Sequence, residues 1–342
     1  MQQHLIFGAG LIGGYLSGVM ASQAVSLAMI ARASVQEKYA GGMQLSDYQG
    51  NEAVIAAPVF VAADNAAAVI SSSDSTAPCQ FLWLTVKCTA VAAALAEVAT
   101  WIDDRTIIFC CQNGLGSDAL VKERFPHNRV LRVMVPFNVA QIKPGHLHRG
   151  SEGDLCIESD ADDIKQLVSQ INCPLMPVHG STEMQAVLAA KLQLNLANAV
   201  NALADVPVKS MLEQRDYRRC IALLMKEWVA VAAKKQLVLP KLTAIPAQRI
   251  PGFITLPNFL FRLFAQKMLA VDPTVRTSMW WDLSQGKLSE VEYLNGAVVR
   301  QGKTVAVACP ANERIVALVH DIESGKCQQG ISAPDLLAEL IS

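Results

Sequence analysis

The sequence predicts an α/β domain built on a parallel β-sheet, followed by an all-α domain. Short apolar segments of strand length alternate with helical patterns in the first half, and long amphipathic helices fill the second half. The chain has 342 residues, 52% of them hydrophobic, which is enough for about two domains. We expect the first domain at residues 1–178 and the second at residues 179–342.

The first half contains apolar runs that end in glycine or polar residues. Such nearly continuous hydrophobic runs, separated by helices, are typical of parallel strands that are covered on both faces of the sheet. The predicted strands are 4–10, 24–32, 81–87, 106–114, 129–141 and 146–158, and the predicted helices between them include 11–22 and 94–102.

The second half has the 3.6-residue periodicity of amphipathic helices. Residues 240–274 contain five prolines and predict broken helices and loops. The predicted helices are 181–204, 215–236, 276–301 and 310–323.

Composition argues against several classes of protein. The chain has 29 Lys and Arg against 30 Asp and Glu and no basic stripe, so nucleic acid is not an expected partner. No apolar run approaches the roughly 18 residues of a membrane span, and the N-terminus lacks the basic region of a signal peptide. Nine cysteines without a CxxC pair favour free thiols and a cytoplasmic location. Six histidines without ligand spacing predict no metal site.

A glycine motif follows the first predicted strand and opens the first helix. In a G-x-G-x-x-G loop the first glycine permits the tight turn, the second lets the backbone approach a pyrophosphate, and the third allows close strand–helix packing. The helix N-terminus also attracts phosphate charge. We interpret the loop as a dinucleotide-binding site; a purely structural glycine turn is the alternative. Its residues are Gly8, Ala9, Gly10, Leu11, Ile12 and Gly13.

Arg32 ends the second predicted strand, where an NAD enzyme would carry an acidic residue for the ribose 2′-hydroxyl. The nearest acidic residue is Glu37. Because a guanidinium pairs well with phosphate, Arg32 predicts NADP(H) as the cofactor. A solvated surface arginine is the alternative reading.

Two further polar residues follow predicted strands: Lys87 and Asn113. Ligands of open α/β sheets bind outside the carboxyl ends of the strands. Both residues are therefore expected near a nucleotide at the glycine loop, although Asn113-Gly114 is also a turn signal.

A polar stripe lies on an otherwise apolar helix. Lys191, Asn195 and Asn198 occupy positions i, i+4 and i+7, which share one helix face. Taken alone, the stripe is equally compatible with a catalytic lysine and with a lysine whose stem packs on the core while its amine reaches solvent.

The motifs FGAGLIGG, LTVK, QNGLG, KLQLNLANAVNALADVP and TSMWWDLSQGKLSEVEYLNG occur in the order found in ketopantoate reductases (2-dehydropantoate 2-reductases), which the chain resembles from Gly8 to the region of Asn312. The resemblance implies a Rossmann-type N-terminal domain and a helical C-terminal domain. It also implies reduction of ketopantoate to (R)-pantoate by NADPH, on the way to pantothenate and coenzyme A.

The resemblance assigns roles to single residues. Lys191 matches the catalytic lysine, and Glu290 matches the catalytic glutamate beside the nicotinamide end of the cofactor. Lys87 and Asn113 match contacts to the cofactor and the active site. The implied substrate-binding residues are Asn113, Asn195, Asn198 and Ser278.

The chain departs from the family pattern at one amide. Many members have a second asparagine eight residues after the lysine, where this chain has Ala199. Asn198 stays on the face of Lys191 and is expected to take that role, whereas Asn201 lies further round the helix. The chain is also longer than compact members, mainly in the proline-rich region 236–276.

Three functions remain open at this stage. The first is ketopantoate reduction with Lys191 as the proton donor. The second is reduction of a different branched 2-oxo acid or imine on the same scaffold, and the third is a cofactor-binding regulatory protein without turnover. The expected partner is a small 2-oxo acid, with no nucleic acid or membrane, in a monomer or homodimer.

Overall fold

The computed structural model describes residues 4–61, 79–269 and 272–341. The chain divides into two compact units, Met1–Met184 and Gln185–Ser342. The division lies later than the expected boundary after residue 178 because Val178–Ser181 is a strand that pairs with the preceding one. Within the described ranges, no helix has both the length and the apolar composition needed to cross a membrane.

The first unit is built around a mainly parallel sheet. Among the described residues it has eight strands in the order β12-β11-β8-β7-β6-β1-β2-β5, with β8 and β11 antiparallel. The strands are β1 His4–Phe7, β2 Leu27–Ile30, β5 Phe60–Val61, β6 Phe81–Leu84, β7 Ile107–Cys110, β8 Val130–Met134, β11 Leu155–Glu158 and β12 Val178–Ser181. The run β5-β2-β1-β6-β7-β8 has the strand order of a Rossmann fold.

The β1 strand explains why these strands have continuous apolar sequences. Its side chains alternate between two hydrophobic clusters on opposite faces of the sheet: Ile6 packs in one, and Leu5 and Phe7 pack in the other. Both faces are covered by other elements, so a polar residue at either position would be buried.

A second sheet was not predicted from the sequence. It has four described strands in the order β4-β3-β10-β9, namely β3 Met43–Asp47, β4 Glu52–Ile55, β9 Val139–Lys143 and β10 His146–Arg149. The predicted strands 129–141 and 146–158 are each two strands that belong to different sheets. Helix Leu11–Ser22 packs closely on this sheet, since a Cβ at Gly14 or Gly18 would press on Leu147 or Leu45.

The helices of the first unit cover the parallel sheet. The helix predicted at 11–22 is confirmed at Leu11–Ser22, whereas the one predicted at 94–102 lies earlier. The others are Ala33–Tyr39, Val91–Val98, Ser117–Arg124 and Asp162–Ile171, with a 3-10 turn at Cys88–Ala90.

Every described element of the second unit is helical. The prediction at 310–323 is confirmed, and the predicted helix 276–301 is instead three shorter elements. The helices are Met184–Asn195, Ala197–Ala204, Val208–Glu213, Arg215–Lys234, Ile250–Ile254, Asn258–Phe264, Gln266–Leu269, Ser278–Ser284, Asn295–Thr304, Pro310–Glu323 and Ala333–Ile341, with 3-10 turns at Ala247–Arg249 and Val291–Tyr293.

Arg218 anchors the proline-rich region to the longest helix, Arg215–Lys234. The Arg218 side chain is fully buried, and it donates hydrogen bonds to the carbonyl oxygens of Ile254 (2.7 Å) and Leu256 (2.9 Å). Its guanidinium lies 4.1 Å from the Phe261 ring centroid. Burial, followed by the neighbouring charges of Arg215 and Arg262, lowers the pKa of Arg218. These contacts attach the short helices Ile250–Ile254 and Asn258–Phe264 to the longest helix.

Candidate active site

The glycine loop has the geometry of a phosphate-binding turn. Gly8 has a φ of +109°, which side-chain-bearing residues rarely adopt, and the Gly10 amide donates to the Gly8 carbonyl at 2.8 Å. A Cβ at Gly13 would collide with the Gly8 carbonyl oxygen and with Thr85 Oγ1. The first and third glycines are therefore required by the turn and by the packing of helix on strand.

Gly10 meets the requirement of the middle glycine. It is exposed, and a Cβ built on it would meet no atom within 4 Å among the described residues other than those next to it in the chain or in the backbone of its own helix. It is also the N-cap of helix Leu11–Ser22, so the unpaired amides of the first helical turn lie beside this open space. The loop consequently fits a pyrophosphate, which needs close approach to the backbone and a positive electrostatic potential.

Two side chains that follow neighbouring strands form hydrogen bonds between the loops at the carboxyl edge of the sheet. Thr85 Oγ1 lies 2.7 Å from the Gly8 carbonyl oxygen, which joins the end of β6 to the glycine loop. Gln112 Nε2 donates to the carbonyls of Leu84 (2.8 Å) and Val86 (3.1 Å), which joins the end of β7 to β6. These contacts hold the loops beside the glycine loop in one conformation.

The structure brings the three predicted polar residues of the first unit to this same edge. Arg32, Lys87 and Asn113 follow β2, β6 and β7, and all three residues are exposed. In the sheet β2 and β6 flank β1, and β7 lies next to β6. The Asn113 carbonyl accepts a hydrogen bond from Cys88 Sγ at 2.9 Å, which fixes the two loops relative to each other. Arg32 is the N-cap residue of helix Ala33–Tyr39.

Lys191 lies on helix Met184–Asn195 of the second unit, between the buried residues Ala190 and Leu192. Burial lowers the pKa of Lys191 to about 8. The opposite side of the helix is fixed by Trp228, whose Nε1 donates to the Ala189 carbonyl at 2.8 Å, and by Gln193, whose Nε2 donates to the Ala247 carbonyl at 2.7 Å. A lysine amine with a pKa lowered in this way, on an anchored helix, is suited to releasing a proton.

The single helix predicted over 181–204 is interrupted at Leu196, and its first part begins at Met184. The break is slight: Leu196 keeps helical dihedral angles, and its amide still donates to the Leu192 carbonyl at 3.1 Å. Asn195 and Asn198 are half-buried, like Lys191, so the polar stripe persists through the break.

Asn201 has a structural role that the sequence did not reveal. It is fully buried, and its Oδ1 accepts a hydrogen bond from the Thr277 amide at 3.0 Å. Thr277 is the N-cap of helix Ser278–Ser284, so Asn201 fixes the start of the helix that carries the exposed Ser278. The Thr277 hydroxyl also lies 3.4 Å from the Asn198 carbonyl oxygen. The structure thus brings Asn198 and Ser278 into one neighbourhood.

Glu290 is buried and begins the 3-10 turn Val291–Tyr293. A cluster of charged side chains holds this turn from both sides. The ring nitrogens of His320 lie 2.9 Å from Glu292 and 2.8 Å from Glu323, and Glu323 accepts a hydrogen bond from the Ser289 amide at 2.7 Å. The hydrogen bond to Glu292 is the main cause that raises the pKa of His320. The charged imidazolium can donate to both carboxylates at once.

Sequence reasoning missed the residues that position the site: Thr85, Gln112 and Asn201. Their polar groups point to backbone atoms that are distant in the sequence, so no local spacing marks them. All nine cysteines have free thiols. In the described part of the chain, no cluster of three or more His, Cys, Asp or Glu residues is arranged to hold a metal ion.

Comparison with known proteins identifies the family through both units. Residues 4–161 match the family model described as ketopantoate reductase PanE/ApbA, and residues 183–323 match its C-terminal counterpart. The two models together cover most of the chain and include every predicted site residue.

Individual relatives agree with this match. The 2-dehydropantoate 2-reductase of Archaeoglobus fulgidus is 22% identical over 336 residues, which cover 95% of this chain and 99% of that protein. The enzyme of the same name from Aquifex aeolicus is 26% identical over 243 residues, covering 69% of this chain and 74% of its own length.

Solved structures show the same fold. A PanE/ApbA family ketopantoate reductase from Ralstonia eutropha is 25% identical, with a TM-score of 0.75 and coverage of 94% of this chain and 99% of its own. A D-mandelate dehydrogenase solved with NADH and anilino(oxo)acetate is similar in fold, with 18% identity, a TM-score of 0.73, and coverage of 94% and 99%. From the two family models and the fold they share, the chain belongs to the ketopantoate reductase family, a family of oxidoreductases.

Proposed function

We propose that the protein uses NADPH to reduce ketopantoate to (R)-pantoate in pantothenate and coenzyme A biosynthesis. The observation that carries this proposal is Lys191, an amine whose pKa is lowered to about 8 on an anchored helix. The amide of Asn195 is on the same helix, and that of Asn198 is on the helix that follows it, Ala197–Ala204. The glycine loop of the first unit, which fits a pyrophosphate, supports the same reaction, and so do the names of the relatives.

The chemistry requires a proton donor at the ketone oxygen. When bound, a reduced nicotinamide would supply a hydride to the carbonyl carbon, and the electron pair of the C=O bond would move to the oxygen. The Lys191 ammonium stabilises the negative charge that develops there and then transfers a proton to it, which yields the alcohol. Glu290 is the second catalytic residue of the proposal, acting on Lys191 or on the nicotinamide end of the cofactor.

The remaining polar groups are suited to holding the substrate. The side-chain amides of Asn195 and Asn198 can donate hydrogen bonds to a carboxylate, and they can donate to or accept from a hydroxyl, without adding charge. Ser278 adds a hydroxyl of its own. Ala199 is fully buried, whereas Asn198 is half-buried. This contrast supports Asn198 as the second substrate amide. Asn113 is the contact proposed from the first unit.

The test is an assay of NADPH oxidation with ketopantoate, alongside a panel of branched 2-oxo acids and imines. We expect ketopantoate to give the highest kcat/KM among the branched aliphatic substrates. Higher activity with another branched 2-oxo acid or imine would favour the runner-up function, which Ala199 keeps open. No turnover with any of them would favour a cofactor-binding protein without catalysis.

Arg32 is proposed to bind the 2′-phosphate of NADPH and so to select NADPH over NADH. We expect Arg32→Ala to weaken NADPH binding by a factor on the order of 10, the loss typical of a charge-assisted hydrogen bond, and to leave NADH binding nearly unchanged. Titration of cofactor fluorescence measures both constants. Arg105→Ala, at an arginine that is 82% exposed, is the matched control. Equal losses for the two cofactors would remove Arg32 from this role.

We further propose a cytoplasmic protein that is a monomer or a homodimer. The free thiols support a reducing compartment. A ketopantoate reductase from Staphylococcus aureus that shares the fold is described as dimeric. Light scattering in solution decides between the two states for this chain.

A further inference from the structure

Helix Ser278–Ser284 presents a polar and an aromatic residue on the same side. Its buried residues are Met279, Asp282 and Leu283, whereas Ser278 and Trp281 are exposed. Residues three apart on a helix are neighbours on its surface. Trp281 is 54% exposed, so a large part of its indole lies open beside the serine proposed to bind the substrate.

The neighbouring tryptophan is held in place by a charged pair. Trp280 Nε1 donates to Asp205 Oδ1 at 2.7 Å, and the Arg276 guanidinium lies 4.1 Å from the Trp280 ring centroid. Arg276 also forms an ion pair with Asp205 at 2.9 Å. The Trp280 ring therefore has contacts at its polar tip and on one face.

Trp281 stands against this fixed ring. The two ring centroids are 4.8 Å apart and the planes meet at 80°, which is the edge-to-face arrangement that aromatic pairs prefer. The packing limits the orientations of an indole that is more than half exposed. A rigid apolar surface costs less entropy on binding a flat partner than a mobile side chain does.

A single exposed apolar residue is ordinary on a protein surface. Trp281 differs in two respects: its ring is supported by a fixed neighbour, and it lies next to Ser278. Ligand sites commonly combine an aromatic wall with a few polar groups that fix orientation. Here Ser278 would supply a polar contact to the substrate, and Trp281 would supply the aromatic surface.

We propose that Trp281 gives this protein a second class of substrate besides ketopantoate, namely 2-oxo acids whose side chain is an aryl or another flat apolar group. The inference rests on the proposed function, because it takes Ser278 as a substrate-binding residue. Ketopantoate carries a branched aliphatic side chain with a hydroxyl, which cannot stack on an indole. An aryl group can stack face-on or edge-on while the 2-oxo acid end stays at the amides.

The experiment compares kcat/KM for phenylpyruvate and for ketopantoate, measured by NADPH oxidation. We expect Trp281→Ala to lower kcat/KM for phenylpyruvate by a factor on the order of 10, mainly through KM, with a much smaller effect on ketopantoate. Trp281→Phe should retain most of the wild-type kcat/KM for phenylpyruvate because it keeps an aromatic ring. Phe259→Ala, at a residue that is 71% exposed on helix Asn258–Phe264, controls for the loss of an exposed aromatic side chain.

The outcomes separate the two proposals. Equal losses of kcat/KM for both substrates in Trp281→Ala would overturn the role of Trp281, and so would the same loss in Phe259→Ala. Neither result would contradict the proposed reductase function. A loss for phenylpyruvate in Trp281→Phe as large as in Trp281→Ala would also count against stacking. If the unmodified protein reduces ketopantoate but not phenylpyruvate, the role of Trp281 fails alone. If it reduces neither substrate, the proposed function fails, and the role of Trp281 fails with it.

Discussion

Replacing Lys191 by alanine is expected to slow ketone reduction by a factor on the order of 10² or more, the usual contribution of a positioned acid or base. NADPH binding should stay nearly intact, because the phosphate-binding loop belongs to the first unit. Stopped-flow single-turnover rates measure the chemical step, and cofactor fluorescence measures binding. The matched control is Lys226→Ala, which removes an exposed lysine from helix Arg215–Lys234.

The pH dependence tests the same assignment. Because the ammonium form of Lys191 is the proton donor and its pKa is about 8, the reduction rate should fall as the pH rises through that value. Lys191→Arg should keep the positive charge but lose this fall, since a guanidinium does not release its proton in this range. Near-normal turnover in Lys191→Ala, or an unchanged pH profile in Lys191→Arg, would remove Lys191 as the proton donor.

Breaking the buried ion pair of the second sheet is expected to have the largest effect on stability. Arg149 Nη2 lies 3.1 Å from Asp47 Oδ2, and the two side chains are 1% and 0% exposed. The Asp47 carboxylate also accepts hydrogen bonds from Asn51 and from the Gln49 amide. Burial by itself would raise the pKa of Asp47, but these hydrogen bonds and the one from Arg149 outweigh burial and lower it. The carboxylate therefore stays charged at neutral pH.

Arg149→Met keeps most of the side-chain volume and leaves that charge uncompensated. We expect it to lower the free energy of unfolding by about 3–5 kcal/mol, the loss typical of a broken buried pair. Urea unfolding measures the change. The double variant Arg149→Met/Asp47→Asn should recover part of the loss, because it removes the unpaired charge as well.

The exposed pair Lys165–Asp162 provides the contrast, with side chains that are 67% and 88% exposed. Lys165→Ala should change the free energy of unfolding far less than Arg149→Met does, because solvent screens exposed charges. Equal losses in Lys165→Ala and Arg149→Met would show that burial does not set the strength of these pairs. No recovery in the double variant would show that Arg149 acts through packing on its neighbours.

The sequence predicted the parts of the fold that depend on local patterns. The glycine loop, helix Leu11–Ser22 and helix Pro310–Glu323 were predicted because their periodicity and their terminal residues are contiguous in the chain. Periodicity did not separate strand from turn. The predicted strands at 24–32 and 81–87 are shorter in the structure because their last residues leave the sheet to form the loops that carry Arg32 and Lys87.

The sequence by itself determined the order of α/β and helical domains and the types of residue available for chemistry. Only the tertiary structure decided how those residues are supported. The second sheet pairs β3 with β10 across about a hundred residues, and Asn201 fixes Thr277 from a different helix. Burial, too, is a tertiary property: the sequence offered Lys191 as a candidate, but the packing around it lowers its pKa. Such contacts form between segments that are distant in the chain, so no local pattern encodes them.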